Sequence, residues 1–301
     1  MKNEFDLIII GGGPAGISAA IYAKRANLNV TIIEESQDGG KLSKISKIDN
    51  YPGFSSISGF DLSQQFLLQL KQYDVNIINE KVIKIDNNTI ITSENAYQAK
   101  AILIATGSKQ KKLDIVDADK YEGNGISYCA ICDGFFFRKK DVVVIGDNSQ
   151  ALQESLYLAN IVNTVTIVNR QSNFNCETSL IDKINNTKNI KTIFNSIPSK
   201  LIINDNKISG IQIQNIDTNQ YDILDCVGIF PYISFNPSTD FVNQSILDEQ
   251  GYIITNQDMS TSIPGIFAAG DCIKKQLRQI VTACADGAIA ATSIIKYIKQ
   301  K

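Results

Sequence analysis

A chain of 301 residues, 44% hydrophobic and 20% charged, is long enough for two domains, each with its own core. Its net charge of −2, with no long basic run, argues against nucleic acid and anionic lipid as partners. The sequence contains no histidine, which removes Ser/His, Cys/His and histidine-ligated metal chemistry and leaves acid–base work to Asp, Glu, Lys, Tyr or Cys.

Leu7-Ile8-Ile9-Ile10 is a short apolar run of the kind found in strands buried on both faces. It is too short for a signal-peptide core or a membrane span and no arginine-rich presequence accompanies it, so a cytoplasmic protein is expected. Gly11-Gly12-Gly13-Pro14-Ala15-Gly16 follows, then a helix from Ile17 to Ala26 and a strand from Val30 to Ile33 ending in Glu34. Gly11, Gly13 and Gly16 form G-x-G-x-x-G between a strand and a helix, where glycines permit a tight turn and the helix N-terminus offers N–H groups to a pyrophosphate. Glu34 is placed to accept from a ribose diol and to repel a 2′-phosphate, which predicts FAD or NAD rather than NADP. A looser stretch from Gln37 to Gly59 carries Gly39-Gly40 and Asn50-Tyr51-Pro52-Gly53. A helix over about 61–72 and a strand from Ala101 to Ile104, running into Ala105-Thr106-Gly107, complete the first part.

Ser127-Tyr128-Cys129-Ala130-Ile131-Cys132-Asp133-Gly134 carries the clearest chemistry. Two intervening residues let both sulfurs meet at a helix start, where a thiolate is stabilised and exchange is fast. A zinc half-site is the rival, but no second pair of this spacing and no histidine exist to complete four ligands. Asp133 is the acid–base candidate, protonating a leaving thiolate if partial burial raises its pKa, and a simple helix-capping role is its alternative. The remaining cysteines, Cys176, Cys226, Cys272 and Cys284, read as small buried thiols. A second strand, turn and helix unit follows: Val142 to Ile145, Gly146, Ala151 to Asn160, then a strand from Val165 to Val168. Asn-rich turns around 184–206 suggest surface hairpins, and Gly265 to Asp271 leads into a helix from about Gln279 to Ile298.

GGGPAG, Asn50-Tyr51-Pro52-Gly53-Phe54, Ala105-Thr106-Gly107, CAICDG, FAAGD and Arg278-Gln279-Ile280 occur in the order in which the low-molecular-weight thioredoxin reductases carry them, and the chain resembles that family end to end. The resemblance implies two Rossmann-like three-layer α/β domains, with a discontinuous FAD domain (1–110 and 239–301) and an inserted central domain (111–238) that carries the dithiol. It implies FAD contacts from Gly11, Gly13, Pro14, Ala15, Gly16, Glu34, Gly40, Lys41, Leu42, Asn50, Val82, Ala105, Thr106, Gly107, Gly270, Asp271, Arg278, Gln279 and Ile280. Asp271 is expected near the ribityl chain. Cys129, Cys132 and Asp133 become the catalytic set, a thioredoxin-like protein the disulfide substrate, and a homodimer with rotating domains the assembly.

The central domain should also carry an NADPH site, and there the family's pattern breaks. Asn148 stands where the family has the glycine facing the pyrophosphate, and Asp147 adds charge beside it. Asn169-Arg170-Gln171-Ser172-Asn173-Phe174-Asn175 keeps one arginine of the usual 2′-phosphate clamp, and Ser234 replaces a glycine near the nicotinamide pocket. NADPH or NADH remains one expected donor. Ferredoxin or flavodoxin, as in the flavin thioredoxin reductases that resemble this chain in lacking those motifs, is the other. A flavin-bound redox sensor without turnover is the reading from a different class.

Overall fold

The computed structural model describes residues 4–36, 40–45, 47–174 and 176–300, so Gln37, Gly39 and Asn175 named above lie outside the described residues. The first part of the chain forms strands β1 (Glu4–Ile10), β2 (Val30–Ile33), β3 (Asn76–Ile78), β4 (Val82–Asp86), β5 (Thr89–Thr92) and β6 (Ala96–Ile104), with helices α1 (Pro14–Arg25) and α2 (Gly59–Lys71). After β7 (Ser108–Gln110) come α3 (Ala130–Asp133), β8 (Asp141–Ile145), α4 (Ser149–Ala159), β9 (Thr164–Val168), α5 (Thr178–Asn185) and β10 (Ile190–Ile193). Strands β11 (Ser196–Asn204), β12 (Lys207–Asn215), β13 (Tyr221–Asp225), β14 (Gly228–Pro231), β15 (Phe235–Pro237) and β16 (Ile266–Ala268) precede the last helix, α6 (Ile280–Lys299).

The chain divides into two compact units, Met1–Lys109 with Asn236–Lys301, and Gln110–Phe235. The return to the first unit thus falls before Ser238. That residue is held there by Thr106 Oγ1, which donates to its carbonyl at 2.7 Å, and by its own N–H, which donates to the Gly107 carbonyl at 3.0 Å.

In the first unit the sheet runs β3-β2-β1-β6-β5-β4, and β16 also pairs with β6. The length of β6 explains this branch: its early residues pair antiparallel with β5, while Ile102 to Ile104 pair parallel with β16. Leu7, Ile8, Ile9, Ile32 and Leu103 are fully buried, each worth about 1.5–3 kcal/mol of apolar transfer. Helix α1 starts at Pro14, earlier than the apolar pattern suggests, because proline presets the first helical φ. Helix α2 starts at Gly59, where the Ser58 hydroxyl accepts from Asp61 N–H. Helix α6 is long and apolar enough to cross a membrane by length and composition alone. Its inward face of Ala283, Gly287, Ala290, Ala291 and Ile294 is buried instead, and Gly287 approaches so closely that a Cβ would sit 2.1 Å from the Ala15 carbonyl oxygen of α1.

The second unit holds a parallel sheet ordered β10-β9-β8-β14 and an antiparallel sheet of β11-β12-β13. Only part of the predicted hairpin region is one. Ile190–Ile193 pairs parallel with β9, and the hairpin is β11–β12, turned by Asp205 and Asn206 at φ 47° and 57°.

Candidate active site

The first glycine turn is shaped by close approach. Gly11 sits at φ 106°, and a Cβ on it would lie 2.4 Å from the Ala105 carbonyl oxygen. A Cβ on Gly16 would lie 2.0 Å from the Gly11 carbonyl oxygen, so helix α1 packs on the turn itself. Gly13 differs: a Cβ there meets nothing within 4 Å, and this N-cap has no side chain to serve the first N–H groups of α1. Those donors, with the helix dipole behind them, face open space of the kind a pyrophosphate fills. Glu34 lies beside them, accepting Gly12 N–H at 2.7 Å on one oxygen and Ser36 N–H at 3.1 Å on the other. Each oxygen keeps a lone pair for a ribose hydroxyl.

Residues far apart in the sequence converge on this unit's other predicted contacts. Lys41 Nζ lies 3.5 Å from Asp271 Oδ2, and Asn50 Nδ2 donates to Gln279 Oε1 at 3.1 Å. Arg278 donates to the carbonyls of Asp271 and Ile273 and stacks 4.0 Å over the Tyr252 ring, so it braces the turn that presents Asp271 rather than standing free in solvent. Asp271 Oδ1 is buried with no hydrogen-bond partner among the described residues, the signature of an acceptor awaiting a ligand hydroxyl. Gly40 and Gly107 take left-handed backbone at φ 63° and 66°, Leu42 is buried in the short turn after Lys41, Ala105 N–H bonds the Ile10 carbonyl, and Ile280 opens α6. Val82 opens β4 directly after Lys81, whose Nζ lies 3.3 Å from Oε1 of Glu35, the residue next to Glu34. The open cradle at Gly13, the ribose acceptor Glu34 and the orphaned oxygen of Asp271 together fit an extended flavin dinucleotide.

In the second unit Cys129 and Cys132 form a disulfide at the start of α3, with Cys129 half-buried and Cys132 exposed. The two sulfurs are bonded to each other, and no group of three or more His, Cys, Asp or Glu side chains placed to hold a metal occurs among the described residues. The support beneath it is specific. Ser127, buried, accepts the Cys129 N–H at 3.1 Å and donates to Asp133 Oδ2 at 2.6 Å, fixing that half-buried carboxylate beside the sulfurs. The Tyr232 hydroxyl accepts the Ala130 N–H at 3.0 Å. Burial, and then the nearby Glu154 carboxylate, push the Tyr232 phenol well above its ordinary pKa, so it stays a neutral prop under the helix.

The second glycine turn is built differently from the first. Asn148 caps α4 with its own side chain, Oδ1 accepting Ala151 N–H at 3.0 Å and Nδ2 donating to the Tyr232 carbonyl at 2.7 Å. Ser149 Oγ donates to Glu177 Oε2 at 3.1 Å, which brings a carboxylate to the same helix start. At the end of β9, Asn169 is fully buried and hydrogen-bonded within its own loop to Asn173 and Gln171, while Arg170 is exposed.

The model of the family described as pyridine nucleotide-disulphide oxidoreductase matches residues 5–287. The chain is 38% identical to a thioredoxin reductase of Listeria monocytogenes, covering 99% of this chain and 95% of that one. It is 42% identical to one from Mycoplasma pneumoniae over 96% and 94% of the two chains. A crystal structure of Lactococcus lactis thioredoxin reductase superposes with a TM-score of 0.96 at 36% identity, covering 99% of this chain and 100% of that one. The chain belongs to this family, on its thioredoxin reductase branch. Sequence reasoning about that branch found the cysteine pair but assigned no role to its supports Ser127 and Tyr232. It also missed Lys275 and Asp286, paired at 2.6 Å, of which Asp286 Oδ2 further accepts the Gly270 N–H at 3.1 Å. Ser127 was legible only as a small polar residue beside the pair. Nothing local in the sequence links Asp286 to the Gly270 turn.

Proposed function

We propose that this thioredoxin reductase relative is an FAD-dependent dithiol oxidoreductase that reduces the disulfide of a thioredoxin-like protein through Cys129 and Cys132. The observation that carries this reading is the Cys129–Cys132 disulfide, open to solvent at Cys132 and set on a short helix whose N–H groups and neighbouring carboxylate are held by buried partners. Bound FAD supplies a two-electron carrier to the first unit, held by Gly11, Gly13, Gly16, Glu34 and Asp271. Two electrons and two protons convert the disulfide to two thiols. One thiolate then attacks the partner's disulfide, and the second resolves the mixed disulfide, releasing the partner as a dithiol and restoring Cys129–Cys132. Asp133, anchored by Ser127, is the group beside the sulfurs that can hold and return a proton.

A homodimer in the cytoplasm belongs to the same proposal. The free thiols Cys176, Cys226, Cys272 and Cys284 suit a reducing compartment, and sedimentation equilibrium tests the dimer. The function itself is tested by reducing the FAD-loaded protein anaerobically with dithionite, removing excess reductant, and adding oxidised thioredoxin. Up to two partner dithiols should appear per fully reduced enzyme, one from the flavin's electron pair and one from the Cys129–Cys132 dithiol. Flavin reoxidation without thiols in the partner would refute the proposal and leave a redox sensor.

A further inference from the structure

A pyridine nucleotide is the cofactor this fold implies for the second unit, and the residues present there do not fit it. We infer that Asn148 closes the second nucleotide turn, so that neither NADPH nor NADH is carried by α4. The inference deepens the reading of the chain as a flavin-dependent disulfide reductase by restricting its electron donor.

The two glycine turns of this molecule make the comparison internally. At the start of α1 the N-cap is Gly13, no side chain serves the first N–H groups, and a Cβ would meet nothing within 4 Å. A dinucleotide phosphate can approach the backbone and take those donors. At the start of α4 the equivalent place holds Asn148. Its Oδ1 already accepts the Ala151 N–H, the donor a phosphate would use, and its Nδ2 is tied at 2.7 Å to the Tyr232 carbonyl. The side chain is thus braced at both ends and cannot swing aside without breaking two hydrogen bonds. Displacing both costs roughly a hundredfold in affinity, from about one decade per bond.

Charge acts in the same direction. Glu177 reaches Ser149 at the first helical position, so a carboxylate occupies the electropositive end of α4 where a pyrophosphate would bring more negative charge. Asp147 adjoins it in the turn, and its carbonyl is engaged by the Cys176 thiol. The ribose end is no better served. Asn169 occupies the end of β9, as Glu34 follows the end of β2, yet it is buried at 0% exposure and hydrogen-bonded to its own loop. Glu34 by contrast offers a carboxylate beside an open cradle. Phosphate and ribose positions of the second fold are therefore both satisfied by the chain itself.

The test uses the FAD-loaded protein under anaerobic conditions, titrated with NADPH and with NADH. Flavin bleaching reports electron entry, and isothermal titration of the oxidised protein reports binding. Wild type is expected to bleach with neither nucleotide at stoichiometric concentration and to show no saturable binding heat, while dithionite bleaches it fully. Asn148→Gly frees the helix donors and should gain about tenfold or more in NADH affinity. Glycine at an N-cap costs only a few tenths of a kcal/mol. Asn148→Ala, which removes the same bonds, should gain in the same direction and serves if the glycine variant is unstable. Stoichiometric bleaching of wild type by either nucleotide overturns the inference. So does an absence of tighter binding in both variants, since Asn148 would then not be the obstacle. Failure of dithionite-reduced enzyme to reduce thioredoxin would strike the disulfide-reductase reading instead and leave the nucleotide result standing.

Discussion

Gly13→Ala separates cofactor binding from packing in the first glycine turn. A Cβ on Gly13 meets no protein atom within 4 Å, and its backbone, at φ −78° and ψ −174°, is open to alanine without strain. The apoprotein should therefore lose only the difference between glycine and alanine as an N-cap, about 0.5–1 kcal/mol, or a melting shift of roughly 1–4 °C. The methyl group would instead project into the space in front of the α1 N–H groups. Each N–H bond to a phosphate oxygen is charge-assisted and worth about 1.5–3 kcal/mol, so losing one weakens FAD by about ten- to a hundredfold and losing two by more. Apoprotein melting measured beside FAD titration, followed by quenching of flavin fluorescence, reads the two quantities separately. Wild-type FAD affinity in the variant would refute the placement of the pyrophosphate. Collapse of the apoprotein would show that the residue serves packing, as Gly16 does.

Cys132→Ser should abolish dithiol transfer to thioredoxin while the protein stays yellow with bound FAD, and surviving disulfide reduction would remove the cysteines from the catalytic assignment. Native alkylation near neutral pH should add two labels on reduction of the Cys129–Cys132 disulfide and few elsewhere. Burial pushes Cys272 up to about 11 and Cys226 up to about 12, and raises Cys176 and Cys284 as well. Those four thiols stay protonated until pH climbs toward their raised pKa values, so fast labelling of one near neutrality contradicts the packing around it. Asp286→Ala strips the Gly270 N–H and the largely buried Lys275 of their shared partner, and should cost about 3 kcal/mol of stability with weakened FAD binding. Asp286→Asn can still accept from Gly270 and should restore part of the FAD affinity without restoring the charge pair. Equal FAD affinity in both variants and wild type would show that the Gly270 turn needs no such tether.

The elements that were legible in the sequence are those whose physics is local. GGGPAG announces itself because strand, tight turn and helix start are contiguous, and the close approaches at Gly11 and Gly16 bear out that reason for the glycines. Cys129 and Cys132 were legible from spacing alone. The region around 184–206 was only partly legible, because Asn-rich turns look alike whether they close a hairpin, as at Asp205 and Asn206, or, as before Ile190, return the chain to a parallel sheet. The partnerships that hold the site were not legible at all. Ser127 serves the Cys129 N–H and the Asp133 carboxylate across the single turn of α3, and Asp286 reaches Gly270 from a later turn of α6.

Asn148 shows most clearly what the sequence withholds. Read in the chain it is a missing glycine, a change that narrows an approach and leaves the size of the effect open. Placed in the fold it does the work of a ligand, taking the Ala151 N–H that a phosphate would take and anchoring itself on the Tyr232 carbonyl. The same Tyr232 supports α3 through its hydroxyl. The residue that secures the closed turn therefore also props the redox helix. Replacing Asn148 frees the Tyr232 carbonyl while leaving the hydroxyl bond to Ala130 in place. Nucleotide affinity in the second unit should thus change without change in the reactivity of the cysteine pair. That separation is what makes the electron donor and the dithiol chemistry of this enzyme independently testable.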